Sequence, residues 1–186
     1  LSIDTCWSYV VRKVYDLIGD FIVNDISAGE DDPEMLPTVG GLGVKYVAMH
    51  KRGTPQTMLQ LTDYHDVVEA VRSYFDDFSV KAARFGINDW ILDPGIGFAK
   101  TIEQNYELIS RLDELKTVTK AGGTSPLLLV GLSRKSLIYK YLNISPEESL
   151  PATQVLHLAV LQKGADILRV HDVAEARRTV MLYGRL

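Results

Sequence analysis

The chain has 186 residues, of which 46% are hydrophobic and 24% are charged, and these proportions exclude a disordered or fibrous protein. The net charge of −4 argues against a protein that binds nucleic acid through general phosphate neutralisation. The single cysteine, Cys6, excludes an internal disulfide and a cysteine-rich zinc site. We expect a cytoplasmic protein with no signal peptide, because no basic segment precedes an apolar one, and with no membrane partner, because no apolar run approaches the ~20 residues of a span.

Six short apolar runs are typical of strands that are covered on both faces, since most carry no polar residue before their C-terminal end. In chain order they cover residues 1–4, 21–25, 45–49, 90–93, 127–131 and 167–170. Amphipathic segments between them predict helices over residues 8–18, 64–85, 105–116, 150–163 and 173–182, with a further helix beginning near Ser133. Strands that alternate with helices predict an α/β fold with a parallel sheet.

Apolar residues at spacings of three and four define the buried faces of the predicted helices. The segment 64–85 carries such a face, formed by Val67, Val68, Val71, Phe75 and Phe78. The segment 105–116 carries a second, formed by Leu108, Ile109, Leu112 and Leu115. In the segment 150–163 we expect the buried stripe to consist of Val155, Leu158, Ala159 and Gln162.

Two parallel architectures fit the alternation: an open doubly wound sheet and a (β/α)₈ barrel. A barrel uses about 250 residues for eight strand–helix units, so 186 residues correspond to about six units. The six predicted strands agree with that count. We expect a (β/α)₈ TIM barrel present here as a partial barrel of about six units, with residues 1–186 forming one domain that is incomplete at its N-terminus. An open sheet, complete at this length, remains the alternative.

Polar side chains cluster at the C-terminal ends of the predicted strands, which form the active-site face of a parallel barrel. Asp4, Asn24 and Asp93 supply two carboxylates and an amide, which together accept from several N–H groups. This set suits a flat heterocycle with an amidine-like edge, such as a pterin or a purine, and Lys135 adds a donor. Each residue also has a plain structural alternative, such as a turn cap at Asp93 or an Asx turn at residues 24–25.

Two further positions at this face suit anions. Arg169 and His171 are two apart on one strand and can converge on an oxyanion such as a diphosphate, although an Arg–carboxylate bridge is the alternative. Ser133 is a favoured helix N-cap, and a substrate carboxylate could bind beside it. The glycine-rich segment 94–98 lacks the Lys-Ser/Thr ending of a Walker loop, so we expect it to approach a ligand closely while Phe98 offers an aromatic face.

The four histidines show no metal-binding spacing, so no metal ligand is predicted within the chain. His65 and His157 lie in helical segments and are expected at the surface or the edge of the core. His50 follows a strand and could reach the polar face. Cys6 is expected to be buried or inert, since no histidine partner is placed beside it by the sequence.

Five motifs occur in one order along nearly the whole chain. They cover residues 24–27, 49–58, 92–100, 131–136 and 164–173, and they read Asn-Asp-Ile-Ser, Met-His-Lys-Arg-Gly-Thr-Pro-Gln-Thr-Met, Leu-Asp-Pro-Gly-Ile-Gly-Phe-Ala-Lys, Gly-Leu-Ser-Arg-Lys-Ser and Gly-Ala-Asp-Ile-Leu-Arg-Val-His-Asp-Val. Each alone is a weak signal, but together they closely resemble the dihydropteroate synthase family. That family joins 6-hydroxymethyl-7,8-dihydropterin diphosphate to p-aminobenzoate in folate synthesis and is the target of sulfonamides.

The resemblance implies roles for eight residues. The pterin contacts are Asp4, Asn24, Asp93, Lys135 and Arg169; the p-aminobenzoate contacts are Ser133, Phe98 and Lys135; the diphosphate contacts are Arg169 and His171. Lys135, Asp93 and Arg169 are the implied catalytic residues. The resemblance also implies Mg²⁺, with its protein ligand in the family's first two strand–helix units, and a homodimer formed through the last helices.

Those first two units have no counterpart in this sequence, so we expect the 186 residues alone to associate or be poorly soluble and not to turn over substrate. Two other functions stay open. One is a methyltransferase module that binds methyltetrahydrofolate; it would share Asp4, Asn24 and Asp93 but has no reason to keep the motifs around Lys135 and Arg169. The other is a non-catalytic pterin-binding paralogue.

Overall fold

The structure is a computed structural model that describes residues 1–54 and 56–186. Pro55, inside the motif at residues 49–58, lies outside the described residues. The six strands are β1 (Ser2–Asp4), β2 (Ile22–Asp25), β3 (Lys45–Met49), β4 (Trp90–Asp93), β5 (Leu127–Gly131) and β6 (Ile167–Arg169). All six were predicted, three of them with the same bounds and the others to within one residue at an end.

Residues 1–54 and 56–186 form seven α-helices. They are α1 (Ser8–Ile18), α2 (Met35–Leu42), α3 (Val67–Arg84), α4 (Ile102–Ser110), α5 (Ser136–Leu142), α6 (Leu150–Gln162) and α7 (Val173–Tyr183). Short 3₁₀ helices cover Met58–Gln60 and Leu112–Thr117. Within the described residues, none of these helices combines the length and the apolar character needed to cross a membrane.

The strands form one parallel sheet in chain order, with each strand paired to the next. The sheet is curled. This is shown by a contact between β6 and β2, in which Arg169 donates from Nη1 to Asn24 Oδ1 at 3.2 Å. In a flat sheet these strands would lie about 19 Å apart, far beyond the reach of an arginine side chain. The predicted partial (β/α) barrel of six units is therefore confirmed, and the open sheet is excluded.

The inner and outer faces of the curled sheet hold separate apolar clusters. On the inner face Val47, Ile91 and Leu129 pack with Ile22 and Ile167. The outer face and the helices form the main core, in which Trp90 and Phe75 stack with ring centroids 6.1 Å apart. Strand register places polar residues above the inner cluster, since Asp4 pairs with Asn24 and Gly131 pairs with Arg169.

The helix predictions need three corrections. The helix α2 was not predicted. The predicted helix 105–116 is two elements, because α4 ends at Ser110 and a 3₁₀ helix follows. The predicted buried stripe of α6 is wrong: Val155 is 68% exposed, and the residues that face the core are Thr153, His157, Val160 and Leu161. The faces predicted for the segments 64–85 and 105–116 are buried as expected.

Candidate active site at the strand C-termini

A chain of polar contacts joins four strands on the inner face of the sheet. Asn24 Nδ2 donates to Asp4 Oδ1 at 2.8 Å, and Asn24 Oδ1 accepts from Arg169 Nη1. The same Nη1 lies 2.9 Å from Asp93 Oδ2. Asp4, Asn24, Asp93 and Arg169 therefore meet in one place, with their side chains fixed by mutual contacts.

Asp93 is the most deeply buried member of this network, with 1% of its surface exposed. Its Oδ1 accepts from Gly95 N at 2.9 Å, which also forms the turn after β4. Its Oδ2 is close enough to Arg169 for an ion pair, but no donor among the described residues is aligned with it for a hydrogen bond. A buried carboxylate oxygen without a hydrogen bond is costly, and it suits a ligand that brings its own N–H group.

Lys135 lies beside this network, on the segment that follows β5. Its Nζ donates to the carbonyl of Ile96 and lies 5.0 Å from the centroid of the Phe98 ring. Burial lowers the pKa of Lys135 to about 8, with Arg169 acting in the same direction and Asp93 in the opposite one. Lys135 is thus a half-buried cation beside an aromatic face, with an ammonium that gives up its proton more readily than usual.

Ser133 and His171 form the outer end of the site. Ser133 is 7% exposed, and its Oγ accepts from His171 N at 3.2 Å, while the His171 side chain is exposed. The expectation that Ser133 caps a helix is wrong. The helix α5 begins three residues later, because Arg134 adopts a left-handed conformation (φ +52°) and binds Asp172 through Nε and Nη2 at 2.9 and 2.7 Å.

A cavity of about 320 Å³ opens at this face. Volumes near 300 Å³ and above are typical of small-ligand sites. It is lined by Asp4, Gly131, Ser133, Lys135, Arg169, Val170 and His171. Asn24 and Asp93 contact Arg169 at its base, and Phe98 contacts Lys135 at its side. Every residue predicted for the site therefore lies in or beside one cavity.

Of the remaining sequence predictions, some agree with the structure and others do not. His65 is exposed as expected. Cys6 is half-buried, and burial raises the pKa of its thiol to about 11, which disfavours the reactive thiolate. His157 is fully buried, which contradicts the surface or core-edge expectation. His50 is also buried, and instead of reaching the cavity its ring contacts Lys100 at 3.0 Å.

Across residues 1–54 and 56–186, no group of three or more His, Cys, Asp and Glu side chains is arranged to hold a metal ion. The Mg²⁺ that the resemblance implies therefore has no ligand set among these residues, and we assign no step to it.

The sequence also matches a known protein family. The model of the pterin-binding enzyme family matches residues 1–171. The chain belongs to this family.

Curated relatives of this chain include the dihydropteroate synthase of Synechocystis sp., which is 42% identical over 93% of the chain and 58% of the relative. The dihydropteroate synthase of Escherichia coli is 36% identical over 94% of the chain and 60% of the relative. The chain thus spans about 60% of the length of these curated relatives.

Solved structures agree with the fold. A Yersinia pestis dihydropteroate synthase in a sulfonamide drug complex superposes with a TM-score of 0.91 at 29% identity, covering 100% of this chain and 65% of that one. A Thermus thermophilus dihydropteroate synthase in complex with 4-aminobenzoate gives a TM-score of 0.90 at 32% identity, covering 100% and 73%.

The sequence analysis did not single out Lys100 and Asn105, which support the loop beside the cavity. Lys100 is 5% exposed and contacts the loop that carries Phe98, and Asn105 is 2% exposed and accepts from Gly97 N at 2.6 Å. The available signal was the capping box formed by Thr101 and Gln104, which places the start of α4 directly after this loop and turns Asn105 towards it.

Proposed function

We propose that this chain supplies the pterin-binding part of a dihydropteroate synthase, which condenses 6-hydroxymethyl-7,8-dihydropterin diphosphate with p-aminobenzoate to give dihydropteroate and diphosphate in folate synthesis. The observation that carries the proposal is the contact chain Asp4–Asn24–Arg169–Asp93, in which a buried carboxylate oxygen lacks a hydrogen-bond donor among the described residues. The curated relatives and the solved structures that match the chain are dihydropteroate synthases, which supports the same reaction.

In the proposed complex the N–H edge of the pterin binds Asp93, and Asn24 binds an adjoining donor or acceptor of the ring. A guanidine-like edge presents two parallel donors that match the two oxygens of a carboxylate. Arg169 then leaves Asp93 Oδ2, because the ring replaces it there. Its planar guanidinium is free to lie against the ring or to bind the diphosphate.

The proposed p-aminobenzoate end is formed by Ser133, Lys135 and Phe98. The Ser133 hydroxyl accepts from His171 N, and its own proton remains available to a substrate carboxylate. The Lys135 ammonium adds charge at the same place, and the Phe98 face flanks the benzene ring. These three groups bind and orient the second substrate without reacting with it.

The proposed reaction breaks the bond between the pterin methylene carbon and the diphosphate oxygen, and forms a bond from that carbon to the amine nitrogen. The oxygen keeps the electron pair as diphosphate leaves, the aniline nitrogen supplies the new pair, and the nitrogen then loses a proton. Arg169 and His171 stabilise the charge on the leaving group, and Asp93 stabilises the cationic ring. Positioning contributes the rest, so no side-chain nucleophile is required.

Calorimetry tests this function directly. We expect the chain to bind pterin diphosphate more tightly than 6-hydroxymethylpterin, and Arg169→Ala to remove the difference while the pterin itself still binds. Arg178→Ala is the matched control, since that side chain is 74% exposed and pairs with Glu175. A chain that binds methyltetrahydrofolate more tightly than pterin diphosphate would favour the methyltransferase module instead.

We also propose a homodimer formed through α6 and α7. These helices expose apolar side chains with no cover among the described residues: Val155 is 68%, Met181 63% and Leu182 69% exposed. An exposed apolar surface of this kind is typical of a protein–protein interface. Sedimentation equilibrium measures the mass, and Leu182→Glu is expected to shift a dimer towards monomer.

Two expectations from the sequence stay as proposals. A cytoplasmic location is supported by the single cysteine, Cys6, which allows no internal disulfide. A single domain over residues 1–186 is supported by the one continuous strand order from β1 to β6.

A further inference from the structure

A buried lysine lies directly beneath the loop that borders the candidate site. Lys100 is 5% exposed, and its Nζ lies 3.0 Å from His50 Nδ1. The same Nζ donates to the carbonyl oxygens of Gly95 at 3.0 Å and Phe98 at 3.1 Å. An ammonium has three N–H donors, and here all three have a partner.

The partners of Lys100 are neutral. Burial lowers the pKa of His50 to about 2, so its ring is uncharged and Nδ1 accepts from the lysine. The remaining two acceptors are backbone carbonyls, and no carboxylate pairs with Lys100 among the described residues. Burial in turn lowers the pKa of Lys100 to about 7, with Asp93 opposing the shift. Two of the three hydrogen bonds from this buried side chain go to backbone carbonyls of one loop, and they hold the backbone of that loop in place.

The backbone that Lys100 holds is the loop of residues 94–99, and this loop contacts the candidate site at three points. Gly95 N donates to Asp93 Oδ1, the Ile96 carbonyl accepts from Lys135, and the Phe98 ring lies beside the Lys135 ammonium. The loop therefore sets the orientation of one carboxylate, one ammonium and one aromatic face.

The loop also packs tightly against His50 from the other side. A Cβ placed on Gly95 would lie 2.0 Å from the His50 carbonyl oxygen, and Gly95 has φ +66°. Only glycine allows this approach at this conformation. His50 thus contacts the loop through its carbonyl and, through Lys100, with its ring.

We propose that Lys100 and His50 are positioning residues of the candidate site: they fix the loop 94–99 and, through it, the geometry of Asp93, Phe98 and Lys135. This deepens the proposed function and rests on it only for the ligand-binding readout below. Neither residue touches the cavity or the reacting atoms.

The first test uses the Lys135–Phe98 contact as a spectroscopic signature, which needs no ligand. The ε-methylene protons of Lys135 should show an upfield ring-current shift. Its size is the difference between the chemical shift of these protons in the native chain and in Phe98→Leu. We expect Lys100→Met to reduce this shift by at least half while the chain stays folded. Lys163→Met, at a half-exposed position, is the matched control and should leave it unchanged. A folded Lys100→Met chain with the full shift would overturn the proposal.

The second test separates positioning from general stability through His50. His50→Leu removes the acceptor, whereas His50→Asn keeps an acceptor at about the position of Nδ1. We expect the ring-current shift to be lost in His50→Leu and largely restored in His50→Asn. Equal shifts in the two variants would overturn the proposal, and this comparison remains decisive if Lys100→Met does not fold.

The third readout is the affinity for 6-hydroxymethylpterin, measured by calorimetry. We expect about tenfold weaker binding in Lys100→Met and in His50→Leu. The titrations are made at a temperature at which thermal unfolding shows both variants to be fully folded. Unchanged affinity alongside a lost ring-current shift would overturn the link to the site. A native chain that binds no pterin would contradict the proposed function alone, since the ring-current comparison still decides the positioning role.

Discussion

Substitution of Asp93 has the most specific expected effect. Asp93→Asn keeps the shape of the side chain and the hydrogen bond from Gly95 N, because the amide oxygen can still accept. It removes the charge at Oδ2, the atom 2.9 Å from Arg169 Nη1. The substitution therefore changes the electrostatics of the site while leaving the turn after β4 in place.

The magnitude follows from the bond that the ligand would lose. A hydrogen bond to a charged group contributes about 1.5–3 kcal/mol, and each 1.4 kcal/mol is about a factor of ten, so pterin binding should weaken by about 10-fold to about 150-fold. The free energy of unfolding should change by about 1 kcal/mol or less, because the Arg169 side chain is 36% exposed and can turn towards water. A fully buried arginine would instead cost about 3–5 kcal/mol when its partner is removed.

The assay is calorimetric titration of the folded chain with 6-hydroxymethylpterin, alongside thermal unfolding. Asp113→Asn is the matched control, since that carboxylate is 59% exposed and pairs with Lys163 at 3.4 Å. The pKa of Lys135 should also fall below about 8 in Asp93→Asn, because the Asp93 charge raises it. An affinity within about twofold of the native chain, in a folded variant, would refute the reasoning.

Three further predictions concern the site and its support. A Cβ added at Gly131 would lie 3.0 Å from Arg169 Nη2, so Gly131→Ala should displace the guanidinium and weaken pterin diphosphate binding several-fold, whereas Gly122→Ala, with open space around it, should not. Burial lowers the pKa of Lys100 to about 7 and of Lys135 to about 8, so above about pH 7 the folded chain binds fewer protons than the unfolded chain. The free energy of unfolding should therefore rise from about pH 7 to about pH 8.5 in denaturant titrations. A flat or falling profile would contradict this. Asp66 accepts from Val68 N and Glu69 N at the start of α3, both at 2.9 Å, so Asp66→Ala should lower the free energy of unfolding by about 1–2 kcal/mol in the same titrations, and no loss would show that the cap is not needed.

The central strands were predictable because they are largely buried. Strands such as Trp90–Asp93 and Leu127–Gly131 are apolar runs that end at a polar or glycine residue, and the structure begins and ends them at the predicted residues. The convergence of Asp4, Asn24, Asp93 and Arg169 followed from the same logic, since the C-terminal ends of parallel strands meet at one face.

The helix α2 could not be read from local sequence. Its residues Met35–Leu42 include Pro37, Gly40 and Gly41, which are typical of loops. A tertiary contact explains the glycine at position 40, because a Cβ there would lie 1.8 Å from the carbonyl oxygen of Phe85. The helix forms where α3 ends against it, and periodicity within eight residues does not reveal that contact.

The other errors concern two histidines and the start of α5. His157 was expected at the surface or core edge because it lies in a helical segment, yet it faces the core with Thr153 and Val160. His50 looked like a site residue because it follows a strand, but Lys100, fifty residues later, binds its ring. The start of α5 moved from Ser133 to Ser136 because Arg134 reaches Asp172 on the segment after β6.

The most direct measurement of the central claim is a crystal structure of the chain with 6-hydroxymethylpterin bound. We expect the N–H edge of the ring to lie within hydrogen-bond distance of Asp93 Oδ2 and beside Asn24, with Arg169 displaced from its 2.9 Å contact. A ring bound away from Asp93, for example in the apolar groove between α6 and α7 that Leu158 and Leu182 line, would contradict the account.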